Sequence, residues 1–91
     1  MANPRAKKEL LSQIVRIKNL DDLDEFLVDL LTPSEYADII VRWQIVKELY
    51  KGMPQRDISK KLGVSISKIT RGSRELLNTS GGFHQALKKY L

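Results

Sequence analysis

The chain has 91 residues, 42% hydrophobic and 30% charged, enough for one small soluble domain and not two, because single cores typically occupy about 100 to 150 residues. The absence of cysteine excludes disulfide scaffolds, thiolate zinc sites, dithiol redox chemistry and cysteine nucleophiles, and it fits a reducing cytoplasm. The formal net charge of +5 is unevenly spread: residues 1–32 carry five basic and six acidic side chains, residues 33–54 three of each, and residues 55–91 eight basic and two acidic. Such a basic C-terminal block suits a polyanion such as nucleic acid, or is simply a solvated surface. The longest apolar runs, such as Phe26-Leu27-Val28 and Ile39-Ile40-Val41, fall far short of the roughly 20 residues of a bilayer span. With no apolar leader after Met1, the expectation is a cytoplasmic protein without a membrane partner.

Apolar residues recur at spacings of three and four throughout and never alternate for long, so the fold class is all-α. A first helix is predicted from Pro4 to about Lys18, with Leu10, Leu11, Ile14, Val15 and Ile17 as its stripe and Asn19 as its end. Asp21 or Asp22 is expected to cap a short second helix that carries Leu23, Phe26, Leu27, Leu30 and Leu31. Thr32-Pro33-Ser34-Glu35 is a helix start in which Thr32 caps, Pro33 fills the first position and Glu35 completes a capping box. This third helix should run to Tyr50 or Lys51, burying Tyr36, Ile39, Ile40, Trp43, Val46, Leu49 and Tyr50, and stop at Gly52. A loop at Asn78–Gly82 precedes a last helix with Phe83, Leu87 and Leu91.

Residues 55–74 fit a helix-turn-helix. Ile58 and Leu62 form the inner face of its first helix, small Ser59 permits close approach, Gly63 makes the turn, Ser65 caps the second helix, and Val64 and Ile69 pack between the two. Any αα-hairpin needs a glycine turn and apolar inner faces, but a small residue and a glycine at this spacing with a basic outer face is more specific to DNA binding. Gln55, Arg56, Ser67, Lys68, Thr70, Arg71 and Arg74 are the outward candidates for phosphate and base contacts, and the backbone near Ile66 and Ser67 offers N–H groups to phosphate. Gly72 interrupts the second helix, a cost of about 0.5 to 1 kcal/mol relative to alanine. It serves either tight helix packing or a gap for a flat ligand.

Thr32-Pro33, Arg42, Gln55-Arg56 and Ile69-Thr70-Arg71-Gly72-Ser73 together resemble the tryptophan repressor family, over about Phe26 to Leu91, with one residue missing between Gly52 and Gln55. The resemblance implies a six-helix subunit in an intertwined homodimer. Residues 1–51 and 79–91 would form the dimer core and residues 55–77 the reading head for double-stranded operator DNA. Wide apolar stripes on a 91-residue chain agree with burial against a second copy. The resemblance also implies L-tryptophan as corepressor, its indole between Arg42 and Arg71, with guanidinium faces for cation–π stacking. Thr32 and Arg71 would meet its carboxylate, Gly72 would leave room for the ring, and carbonyls around Asp29 to Leu31 would receive its ammonium. This sequence departs from the family at Glu75, where a serine hydroxyl faces the ammonium, at Lys68, where a threonine stands, and at Ser59, where a lysine meets the operator. Lys60 lies next to that last position and joins the DNA contacts.

The leading expectation is thus a transcriptional repressor gated by tryptophan, and the alternative is a helix-turn-helix regulator of the same fold with another effector or none. A helical adaptor with a merely solvated basic end is the third reading. Enzymatic function is not expected: the single His84 has no nucleophile partner in evident spacing, no metal cluster is apparent, and His84 reads as surface or dimer packing.

Overall fold

The computed structural model describes residues 3–90 and consists of six α-helices: α1 (Pro4–Arg16), α2 (Leu20–Leu30), α3 (Pro33–Tyr50), α4 (Gln55–Leu62), α5 (Ile66–Leu76) and α6 (Gly82–Tyr90). Leu91, expected to extend the last helix, lies outside the described residues. The chain divides into two compact units, residues 1–36 and 37–91.

In the first unit the helix starts are set by local chemistry. The Asn3 side chain accepts the Arg5 N–H at 2.7 Å and caps α1, with Pro4 in the position whose missing N–H costs nothing. This helix stops at Arg16, earlier than Lys18, because Ile17 is already extended. Asn19 therefore serves the next helix: it, and not Asp21 or Asp22, is the cap of α2, its Oδ1 accepting the Asp22 N–H at 2.8 Å while its amide donates to the Asp22 carboxylate at 2.9 Å. Asp21 and Asp22 occupy the first turn, where the helix dipole favours acids. The capping box forms as expected. Glu35 N–H donates to Thr32 Oγ1 at 3.1 Å and Thr32 N–H donates to Glu35 Oε1 at 2.8 Å. The backbone bond from Thr32, reinforced by its side chain, holds the Glu35 carboxyl below its ordinary pKa. Tyr36 donates its hydroxyl to Asp24 at 2.8 Å, and this hydrogen bond, with partial burial and the nearby carboxylate charge, pushes the phenol above its ordinary value. Several apolar side chains of this unit stay in water: Leu11, Val15, Leu20 and Val28 are half or more exposed.

The second unit holds the core. Ile45 of α3, Ile58 of α4 and Ile69 of α5 are buried together, with Val41, Leu49, Met53, Leu62 and Val64 packed around them. Leu87 of α6 is also buried. The buried face of α3 differs from the expected one: Val46 is buried and Leu49 half-buried, but Ile39, Ile40, Trp43 and Tyr50 remain exposed, and Ile45 takes the central place. Apolar residues surround much of this helix, so periodicity alone selects no single side. The side that carries Val41, Ile45 and Leu49 is the one the hairpin covers. The helix ends in a Schellman arrangement, with Met53 N–H on the Glu48 carbonyl at 3.1 Å, Gly52 N–H on Leu49 at 3.0 Å, and Gly52 at φ 93°.

His84 is more than surface. Its Nε2 donates to the Leu76 carbonyl at 2.7 Å, and its ring meets Tyr50 edge-on at 5.6 Å, so it ties α6 to the ends of α5 and α3. Phe83 lies 6.5 Å from Trp43, ring centre to ring centre. The loop between α5 and α6 is held by Asn78, whose side-chain oxygen accepts from the Ser80 hydroxyl at 3.0 Å.

Candidate nucleic-acid interface and ligand cavity

The hairpin of α4 and α5 is built by three local devices. Gly63 takes the left-handed conformation at φ 65°, which a side chain would strain, and closes α4 through its N–H on the Ser59 carbonyl at 2.9 Å. The Ser59 hydroxyl donates to the Val64 carbonyl at 2.6 Å, so a short polar residue locks the turn from inside. Ser65 caps α5, accepting the Lys68 N–H at 3.4 Å. Ile58 and Ile69 then meet between the two helices with no exposed surface.

A fourth contact fixes the hairpin on α3. Glu48 is buried, and its Oε2 lies 3.4 Å from Lys61 Nζ in the last turn of α4. A carboxylate removed from water needs such a partner. The cation comes from a side chain still half in water.

Most of the outward residues expected to meet DNA are on the surface. Arg56, Lys60, Ile66, Ser67, Lys68, Arg71 and Arg74 are exposed, and Ile66, Ser67, Thr70, Arg71 and Arg74 line one shallow hollow along the outer side of α5. The first turn of α5 contains no acid, so its N–H groups and dipole are not neutralised. Three candidates are engaged within the hairpin. Ser59 spends its hydroxyl on the turn. Thr70 donates to the Ile66 carbonyl at 3.0 Å and lies 3.5 Å from Gln55 Oε1, which links the starts of the two helices' outer faces.

Behind α5 lies a cavity of about 170 Å³, lined by Asp38, Val41, Arg42 and Ile45 of α3 and by Lys68 and Arg71 of α5. Residues 38, 41, 42 and 45 follow the 3,4 spacing of one helix side, and residues 68 and 71 are one turn apart, so the two helices face each other across it. Arg42 and Arg71, 29 positions apart in the sequence, are thus brought to one cavity. Lys68, a candidate DNA contact that replaces a threonine of the family, lines the cavity too.

Gly72 is buried at the next step along α5, where an added Cβ would lie 3.1 Å from Ile45 Cγ2 and 3.5 Å from Leu49 Cδ1 and Val46 Cγ2. Tight packing of α5 on α3 accounts for this glycine. Glu75 is exposed on α5 and is not among the residues that line the cavity. Asp38 is the carboxylate that lines it, and sequence reasoning missed it; the available signal was its spacing of four residues before Arg42 on a helix already known to carry a candidate ligand residue.

The remaining candidates belong to the first unit. Asp29 is exposed in the last turn of α2, Leu31 follows it with its N–H on the Leu27 carbonyl at 2.9 Å, and Thr32 sits in the capping box. The Thr32 hydroxyl accepts the Glu35 N–H, which leaves its own proton to donate.

These features define a class: a six-helix protein in which a helix-turn-helix with a basic outer side backs onto a small cavity of mixed charge. The chain belongs to the Trp repressor protein family, whose profile matches residues 6–91. It is 39% identical over 77 residues to a Trp operon repressor homolog of Xylella fastidiosa (strain M23), covering 84% of each chain. A Trp operon repressor homolog of Vibrio cholerae serotype O1 is 36% identical over 85 residues, 92% of this chain and 82% of its own. One of Vibrio vulnificus (strain YJ016) is 52% identical over 54 residues, 58% of this chain and 53% of its own. No solved structure matches the chain. Members of the family are transcriptional regulators and not enzymes. Among the described residues, no helix is long and apolar enough to cross a membrane.

Proposed function

We propose that this chain is a cytoplasmic repressor of a trp operon that binds double-stranded operator DNA as a homodimer when L-tryptophan is present. The observation that carries the reading is Arg71, which lines both the cavity and the hollow on the outer side of α5. A ligand held there acts on the helix that meets DNA without any long relay. Arg42 and Arg71 supply two planar cations for an indole, and the Thr32 hydroxyl, Asp29 and Leu31 are the first-unit candidates that a second copy would bring to the site. Homodimer formation is supported by the apolar surface left in water, with Val15 81% and Leu20 84% exposed. In that assembly residues 1–51 and 79–91 form the shared core and residues 55–77 the reading head. The relatives' shared name brings the trp operon as target.

A ligand changes affinity for DNA only as far as it binds one head geometry better than another. The test is DNA binding to a near-palindromic operator with half-sites about one helical turn apart, with and without tryptophan, at several salt concentrations. Tighter, salt-sensitive binding with tryptophan is expected, and Arg71→Ala abolishes the response. Salt-sensitive binding indifferent to tryptophan would instead favour a repressor of the same fold with another effector, a reading to which Lys68 in the cavity lends weight.

A further inference from the structure

Residue 48 holds both ends of α4. Its backbone carbonyl accepts the Met53 N–H at 3.1 Å, in the turn just before α4 begins, and its carboxylate meets Lys61 Nζ at 3.4 Å in the last turn of that helix. No side chain caps α4 at Pro54, so the turn that Glu48 closes is what starts it. Among the described residues Glu48 is the one buried charged side chain, 5% exposed, and it stands one turn beyond Ile45 on α3. An apolar pair of similar volume is often as stable as a buried ion pair or more so, and what the ion pair adds is direction. The other contacts of the hairpin with α3 are apolar. Gly72 lies against Ile45, Val46 and Leu49, and Ile58 and Ile69 pack with Ile45. Apolar burial is not directional, so these contacts alone tolerate a small rotation.

α4 and α5 move together, because the Ser59 hydroxyl on the Val64 carbonyl at 2.6 Å and the buried Ile58 and Ile69 lock one to the other. The angle at which α4 stands on α3 is therefore the angle at which α5 is presented. We infer that Glu48 and Lys61 are a positioning pair for operator recognition: the carboxylate keeps Lys61 off the phosphates and sets the angle of the reading head on α3. This rests on the repressor reading above and names the residues that aim its head. Lys60, exposed one position earlier, is left as the phosphate contact of that turn. Base edges are read only when the head is correctly aimed, whereas attraction to phosphates is not, so the pair governs specific binding and leaves non-specific binding alone.

The experiment uses the full chain with saturating tryptophan and measures fluorescence anisotropy over a range of salt on two duplexes, an operator selected from randomised DNA by the unmodified chain and a scrambled control. The variants are Lys61→Met, Lys61→Arg, Lys60→Met and the double variant Glu48→Met with Lys61→Met, with urea midpoints measured alongside. The double variant should keep or raise the midpoint. It should nevertheless lose about tenfold in operator affinity, the size of one lost base contact, with affinity for the scrambled duplex within about twofold. Lys61→Met should lose operator affinity and leave the slope of log affinity against log salt unchanged, whereas Lys60→Met lowers that slope by about 1 on both duplexes. Lys61→Arg keeps the cation and should hold operator affinity within about threefold of the unmodified chain. Full operator affinity in a folded double variant, or a slope lowered by about 1 in Lys61→Met, overturns the inference and leaves the repressor reading intact. If the double variant does not fold, Lys61→Met and Lys61→Arg decide: affinity lost at unchanged slope in the first and kept in the second supports the pair, and any other pattern overturns it. Failure of the unmodified chain to select any duplex overturns the repressor reading itself and the inference with it.

Discussion

Gly72→Ala sets two known effects against each other at one atom. In a helix interior, alanine is favoured over glycine by about 1 kcal/mol, so on propensity alone the variant is more stable. The new Cβ, however, would lie 3.1 Å from Ile45 Cγ2. That methyl belongs to a β-branched side chain 2% exposed and packed with Ile58 and Ile69, so its rotamer is stiff and, apart from the cavity it lines on one side, its surroundings are filled. Overpacking of this kind costs about 1 to 3 kcal/mol. The net expectation is destabilisation by about 1 kcal/mol, read as a lower urea midpoint at fixed protein concentration with an unchanged slope. The partner variant Ile45→Ala loses the transfer energy of a buried isoleucine, about 2 to 5 kcal/mol, but it removes the obstructing methyl. Adding Gly72→Ala to Ile45→Ala should then stabilise, recovering the helix term. A midpoint that rises in Gly72→Ala alone would refute the reasoning, because it would mean that α5 stands off α3 enough to admit a methyl and that the glycine is there for something other than packing.

Thr32→Ala removes one half of the capping box and should cost about 1 kcal/mol in a denaturant titration. Because the folded chain holds the Glu35 carboxyl below its ordinary pKa, the stability it contributes is complete above the unfolded carboxylate's pKa and is lost as pH falls through the folded value. Glu35→Gln should accordingly flatten the acid limb of stability against pH, which thermal melts between neutral and acid pH will show. Lys61→Met strands the buried Glu48 carboxylate and should destabilise by about 1 to 2 kcal/mol, the half-exposed lysine keeping the loss below that of a fully buried pair. Combining it with Glu48→Gln should return part of that loss in a double-mutant cycle. Arg74→Ala should weaken DNA binding across sequences and lower the slope of log affinity against log salt by about 1, with tryptophan affinity retained, as measured by fluorescence anisotropy.

What was legible in the sequence was what depends on neighbours in the chain. The Thr32–Glu35 box, the Gly63 turn and the Ser65 cap each involve atoms within a few residues, and each forms as the residue types require. Asn19 shows the limit of even local reasoning: three capping residues within four positions compete, and the early end of α1 frees the first of them. The buried side of α3 was not legible, because a helix with Ile39, Ile40 and Trp43 on one side and Val41, Ile45 and Leu49 on another offers two apolar faces, and the choice is made by a hairpin that begins later in the chain. Of the residues that line the cavity, Arg42 and Arg71 were singled out through family likeness, while Asp38 became visible only when α3 and α5 were laid side by side. Ser59, legible both as a small residue for close helix approach and as a DNA contact, turns its hydroxyl to the Val64 carbonyl, a bond that residue type alone does not announce.

Ile45 sits at the junction of three surfaces: it floors the cavity, joins Ile58 and Ile69 in the core, and abuts Gly72. A substitution there alters the cavity and, in the same step, how α5 lies on α3. On the proposed function, divergence toward a new effector is confined by that floor, since each gain in fit would disturb the fit to DNA. The rim is under no such bond. Asp38 and Lys68 stand in solvent, and exchanging them leaves the packed isoleucines untouched.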